Sequence, residues 1–180
     1  MELEAGPRVT RARERFACSH AAERRLTISQ CRSDTLCPLA GLKRNSWVLM
    51  NVLIVEDEIF VALDVENAVE DAGYTVIGIA PDSHSALQLA ENADIAFIDL
   101  NLRDGLTGIA VGRRLASEMG VTVVYMTANP SLLGEGVDGT IGVLTKPCSH
   151  RVIVAALDFA AAKRAPRGAI EPPADLRLFA

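Results

Sequence analysis

Four short apolar runs in this chain each end in residues that can do chemistry. Val52-Leu53-Ile54-Val55 is followed by Glu56, Asp57 and Glu58, and Ile95-Ala96-Phe97-Ile98 by Asp99, with Asn101 two residues on. Val121 to Met126 is followed by Thr127 and Ala128, and Ile141 to Leu144 by Thr145, Lys146 and Pro147. Polar residues end strands in most proteins, so none of these carries weight alone. The combination does. Three carboxylates (Glu56, Asp57, Asp99) gathered in one place repel one another and need a cation. Hard oxygen ligands with room for water suit Mg²⁺. A hydroxyl (Thr127) and an ammonium (Lys146) at the same mouth are groups that hold phosphoryl oxygens. The chemistry these residues point to is metal-assisted handling of phosphate.

The elements that must position them are legible from Met50 onward. The apolar runs are continuous instead of alternating, which marks strands buried on both faces. An amphipathic helix is predicted from about Glu58 to Ala72, with Val61, Val65, Ala68, Val69 and Ala72 on one stripe and Gly73 as its stop. Tyr74 to Ala80 reads as a strand. Asp82 or Ser83 caps a helix running to about Asn92. Thr107 to Met119 is a helix expected to bury Val111, Leu115 and Met119, and Ser149 caps a last helix reaching about Lys163. Five buried strands alternating with helices specify an α/β fold, a doubly wound parallel sheet covered on both faces. Ligands in such sheets bind beyond the carboxyl ends of the strands. All the residues singled out above stand there.

Composition sets the outer limits. The chain has 180 residues, 49% hydrophobic and 23% charged, with a net charge of −5, which excludes collagen-like and wholly disordered classes and argues against bulk nucleic-acid binding. The richest apolar stretch, Trp47 to Val55, is nine residues with Asn51 inside it, where a bilayer helix needs roughly twenty. No membrane association is expected. Four cysteines (Cys18, Cys31, Cys37, Cys148) without a secretory signal indicate reduced thiols and a cytoplasmic protein. Residues 1–49 hold nine Lys/Arg and five Asp/Glu, against nine and eighteen in residues 50–180. The first part lacks periodicity and reads as a disordered or non-native extension, with Met50 as an alternative start. Residues 50–163 form the domain, and 164–180, with Pro166, Pro172 and Pro173, an extended tail. Cys18, His20, Cys31 and Cys37 fit no standard zinc spacing, and His84 and His150 are expected at the surface.

Other phosphate chemistries fail on motif. No Gly-rich turn follows the first strand, no Walker lysine motif occurs, and Asp99-Leu100-Asn101 lacks the second aspartate of haloacid-dehalogenase-type phosphatases. The pieces Val52-Leu53-Ile54-Val55-Glu56-Asp57-Glu58, Ile98-Asp99-Leu100-Asn101-Leu102-Arg103-Asp104-Gly105, Met126-Thr127-Ala128 and Lys146-Pro147 together resemble the receiver domain of two-component response regulators. The resemblance covers about residues 50–163 and implies a flavodoxin-like sheet in the order 2-1-3-4-5. It implies that Asp99 is the phosphoacceptor, that Asp57 is the principal metal carboxylate with Glu56 its neighbour, and that the Asn101 carbonyl completes the Mg²⁺ site. It also implies that Thr127 and Lys146 bind the phosphoryl group and that the Lys146–Pro147 bond is cis. The implied role is a stand-alone receiver in a phosphorelay, not an enzyme in its own right. It would take a phosphoryl group from a histidine kinase or phosphotransfer protein and act through an unknown downstream protein or by passing the phosphate on. A homodimer stays open. So do a phosphate-independent interaction module and a Mg²⁺-dependent phosphatase.

The sequence departs from the family pattern at the switch. Leu102-Arg103 replaces the usual Met-Pro, Val143 stands where the family has an aromatic, and Thr127 to Lys146 spans nineteen residues, a few short of the typical length. The fourth helix of the family must therefore be reduced. Residues 129–139, with Pro130 and three glycines, are expected to be locally unstable and to become ordered on phosphorylation.

Overall fold

A computed structural model describes residues 50–164 and 170–179. The reading of residues 1–49 as an extension, and the cysteines and histidine within it, lie outside the described residues. Strands β1 (Asn51–Val55), β2 (Thr75–Ala80), β3 (Ile95–Ile98), β4 (Thr122–Thr127) and β5 (Gly142–Thr145) form a parallel sheet in the expected order β2-β1-β3-β4-β5. The continuous apolar runs have the expected cause. Side chains alternate faces along a strand, and both faces are covered. Val52, Ile54, Ile95, Phe97, Val124, Met126 and Leu144 enter one core layer, while Leu53, Val55, Ala96, Ile98, Val123, Tyr125 and Val143 enter the other.

Helices α1 (Ile59–Asp71) and α4 (His150–Arg164) cover the first layer, and α2 (Ser83–Leu89) and α3 (Gly108–Met119) the second. Helix α1 buries Ala62, Val65, Ala68 and Val69, and ends at Gly73 with φ of 85°, the left-handed conformation that glycine takes without steric cost. The Asp82 carboxylate caps α2 by accepting the Ser85 N–H at 2.8 Å. Met119, expected in the core, is instead 39% exposed. The chain reverses at Gly120 (φ 66°), and Val121, the first residue after the turn, fills the interior position. At its far end α4 is fastened to the sheet by Arg164, which donates to the Gly120 carbonyl, Thr122 Oγ1 and Asp94 Oδ1.

Two features go beyond the sequence reading. The shortened fourth helix is a single 3₁₀ turn, Pro130–Leu133. Residues 129–139 nonetheless pack, because Leu133 and Val137 are buried in the second layer. The C-terminal tail, read as an extended appendage, contributes a sixth strand, β6 (Leu176–Leu178), antiparallel to β5. It lies so close that a Cβ on Gly142 would fall 2.4 Å from the Arg177 carbonyl oxygen. Among the described residues no helix is long and apolar enough to cross a membrane.

Candidate functional site

Parallel pairing determines which strand-end residues meet. Val55 of β1 is in register with Ile98 of β3, so Glu56 and Asp57 leave the sheet beside Asp99. The register is carried past the strand ends, where the Asp99 N–H donates to the Val55 carbonyl at 2.9 Å and the Glu56 N–H to the Ala80 carbonyl at 2.9 Å. On the other side Thr127 of β4 faces Thr145 of β5, and the Lys146 N–H donates to the Thr127 carbonyl. Glu56, Asp57, Asp99, Thr127 and Lys146 thus meet at one edge, as the spacing predicted.

The Lys146 ammonium sits between two carboxylates, donating to Glu56 Oε2 at 2.5 Å and to Asp99 Oδ2 at 2.8 Å. Glu56 is 3% exposed and Asp99 7%. The other oxygens are also engaged. Glu56 Oε1 accepts the Glu58 N–H at 3.2 Å, and Asp99 Oδ1 accepts the Leu100 N–H at 2.6 Å. Burial raises the Glu56 carboxyl above its usual value, even with Lys146 against it. Burial pulls the ammonium down, but the hydrogen bonds to Asp99 and Glu56 outweigh it and leave Lys146 above its ordinary value. The lysine direction is the one the geometry dictates: with two carboxylates touching it, Lys146 stays charged. The peptide bond after it, Lys146–Pro147, is cis.

One carboxylate oxygen from each of Glu56, Asp57 and Asp99 lies within 4.8 Å of the other two. Oxygens on opposite sides of a Mg²⁺ ion stand roughly 4.2 Å apart, so a small inward movement satisfies the ion. All three ligands are hard oxygens, and Asp57 is exposed, which leaves room for the waters that Mg²⁺ retains. The donor set fits the ion. Asn101 lies exposed in the loop two residues beyond Asp99. Thr127 is fully buried, and its Oγ1 accepts the Asn129 N–H at 3.1 Å. His84 and His150 are exposed, and the Cys148 thiol is half-buried and pushed up by that burial.

The loop that presents Asp99 is braced by residues the sequence reading did not single out. Asp104 accepts from the Ser83 N–H at 3.1 Å and hydroxyl at 2.5 Å and from the Thr107 hydroxyl at 2.7 Å, while the Arg103 N–H donates to the Pro81 carbonyl. Hydrogen bonds from Ser83 and Thr107 hold the Asp104 carboxyl down at about 2. Gly108 opens α3 directly behind Asp99, where a Cβ would come within 1.9 Å of the Asp99 carbonyl oxygen. The Asp104-Gly105 turn signal and a glycine at a helix start were the available clues.

The sequence model of the response regulator receiver domain matches residues 52–158. The phyllosphere-induced regulator PhyR of Methylorubrum extorquens is 33% identical over 101 residues, 53% of this chain and 38% of the relative. The transcriptional regulatory protein PdtaR of Mycobacterium tuberculosis is 29% identical over 119 residues, 62% of this chain and 57% of the relative. The chain therefore spans well under two thirds of either curated relative. Among solved structures, the PhyR receiver domain of Erythrobacter litoralis superimposes with a TM-score of 0.59 and 26% identity, over 67% of this chain and 96% of that one. With the matched segment running from β1 into α4, the chain belongs to the response regulator receiver domain family.

Proposed function

We propose that this receiver accepts a phosphoryl group on Asp99 from a histidine kinase or phosphotransfer protein and works as a phosphorylation-dependent switch in a cytoplasmic two-component relay. The observation that carries the reading is the buried pair of carboxylates, Glu56 and Asp99, bridged by the Lys146 ammonium just past β5. Such an arrangement leaves excess negative charge at the mouth, as a cation site requires.

In this reading a carboxylate oxygen of Asp99 attacks the phosphorus of a phosphohistidine in line. The P–N bond breaks, the imidazole leaves, and an acyl phosphate forms. Lys146 neutralises charge on the transferring oxygens, and the Thr127 hydroxyl turns to donate to one of them. A Mg²⁺ held by Glu56, Asp57, Asp99 and the Asn101 carbonyl would supply further neutralisation of phosphoryl charge. Water later hydrolyses the acyl phosphate, so the chain takes part in its own transfer and decay without being an enzyme acting on a separate substrate. Ile59 and Phe60, exposed at the start of α1 directly after the acidic triplet, offer the donor protein an apolar landing. Output in this reading passes through protein contacts or onward phosphate transfer.

Labelling with acetyl phosphate tests this. Wild-type protein should take up one acid-stable, base-labile phosphoryl group in Mg²⁺ and none in EDTA, and Asp99→Asn should take up none. Labelling of Asp99→Asn at the wild-type level, or labelling indifferent to Mg²⁺, would refute the proposal.

A further inference from the structure

The family's switch aromatic is missing from β5, where Val143 stands, yet the surrounding core layer does not lack an aromatic. Phe179, the residue after β6, packs into that layer with its ring centroid 6.3 Å from that of Tyr125. Val143 lies in register with both Tyr125 of β4 and Arg177 of β6. The tail thus adds a ring to the same core layer that Val143 enters. Phe179 also closes on the backbone of Gly136, where a Cβ would fall 2.6 Å from the ring.

A second set of contacts joins the tail to the site. Arg177 donates from Nη1 to the Gly134 carbonyl at 3.0 Å and from Nη2 to the Pro130 carbonyl at 2.9 Å. These carbonyls belong to the first residue of the 3₁₀ turn and to the residue after it, and the turn begins three positions past Thr127. The turn is entered through Asn129, whose N–H donates to Thr127 Oγ1. Thr127 Oγ1 is engaged by the Asn129 N–H, so a rotation of this stiff side chain toward a phosphoryl group on Asp99 would break that bond. Hydrogen bonds thus link Asp99 to the Lys146 ammonium, the Lys146 N–H to the Thr127 carbonyl, Asn129 to the Thr127 hydroxyl, and the turn entered there to Arg177 and β6.

We propose that the C-terminal strand Leu176–Leu178 is the element through which the site is read. Phosphorylation at Asp99 draws the Thr127 hydroxyl away from Asn129, shifts the carbonyls of Pro130 and Gly134, and loosens β6 and Phe179 from the edge of β5. This deepens the phosphoacceptor reading and rests on it. The direction follows from the seated state: the turn that Arg177 holds through the Pro130 and Gly134 carbonyls is the one in which Asn129 donates to Thr127. The strand is a suitable response element, being three residues long, at the sheet edge, with Arg177 and Leu178 exposed.

The test uses the full chain with Mg²⁺ and beryllofluoride, whose bound fraction is read independently by its fluorine NMR signal and whose binding Asp99→Asn should abolish. At saturation, amide exchange in peptides covering 130–136 and 170–179 should speed up by about tenfold or more, a shift in local opening of the kind exchange resolves. Arg177→Ala should produce the same faster exchange without beryllofluoride. By linkage it should also bind beryllofluoride more tightly by the factor through which it frees the strand. Bound beryllofluoride with unchanged exchange at 170–179 would overturn this inference and leave the phosphoacceptor intact. So would an Arg177→Ala protein whose tail exchanges as slowly as wild type. No bound signal in wild type would overturn the phosphoacceptor reading, and this inference with it.

Discussion

Replacing Lys146 by methionine should expose how much charge the site stores. The substitution keeps an unbranched apolar stem and deletes the ammonium that touches Glu56 Oε2 and Asp99 Oδ2. Both carboxylates are then buried beside each other, with oxygens within 4.8 Å. At an effective dielectric of about 20, two unit charges at that spacing repel by on the order of 3 kcal/mol. An upper bound comes from the alternative of protonating one carboxyl, which at pH 7 costs about 3.5 to 4 kcal/mol. The expected loss is therefore about 2 to 3 kcal/mol, below the range for a fully interior pair because this site opens at the sheet edge. Urea unfolding in EDTA measures it. In the double variant Lys146→Met/Asp99→Asn, Glu56 no longer faces the buried Asp99 charge, and only the exposed Asp57 carboxylate stays near it. At least half of the loss should then return as a coupling term in the cycle. Millimolar Mg²⁺ should also stabilise Lys146→Met more than wild type, since the ion replaces the missing cation. Equal losses in single and double variants would mean that the lysine acts through its packed stem, and the charge argument would be wrong.

Three further outcomes are expected. Asp57→Ala, at an exposed position, should unfold at the wild-type denaturant midpoint yet lose Mg²⁺-dependent labelling by acetyl phosphate; retained labelling would remove Asp57 from the metal set. Gly108→Ala places a methyl within 1.9 Å of the Asp99 carbonyl oxygen and should destabilise by about 1 to 3 kcal/mol, as overpacking does, with labelling at Asp99 reduced in the fraction that remains folded. Asp104, its carboxyl held at about 2 by Ser83 and Thr107, has a folded-state value below its unfolded one. Its contribution to stability is present above pH ~4 and lost as pH falls toward ~2. Asp104→Asn should flatten that part of the acid-unfolding curve, and an unchanged acid limb would show that the hydrogen bonds contribute nothing.

The legible part of this protein is legible for a physical reason. A parallel strand buried on both faces must be apolar at every position, so Val52–Val55 and Ile95–Ile98 announce themselves without periodicity. Parallel strands also bring their carboxyl ends to one edge, so residues far apart in sequence are forced together once the strands are recognised. Glu56 and Lys146, ninety positions apart, end in contact. What stayed hidden depends on long-range backbone pairing or on the exact point of a turn. Three residues, Leu176-Arg177-Leu178, carry too little pattern to mark a strand. Their pairing rests on β5 and on an arginine reaching 43 and 47 residues back along the chain. Met119 and Val121 are both apolar, and only the reversal at Gly120 decides which is buried.

The same hidden contacts alter what the breaker-rich segment means. Pro130 and the glycines at 134, 136 and 139 argue for a weak element on propensity alone, and no long helix forms there. Yet the segment is held from outside by the buried side chains of Leu133 and Val137 and by Arg177 on its carbonyls. The glycines at 134, 136 and 139 have positive φ, so they set the path that allows Phe179 to approach Gly136. The free energy that a longer fourth helix would hold in its own hydrogen bonds is here placed in contacts with the C-terminal strand. Residues 176–179 share the holding of this turn with Leu133 and Val137, so under the proposed switch a motion of Thr127 would reach them through it. The short fourth element, Val143 and the edge strand meet in one core layer through Leu133, Val137 and Phe179.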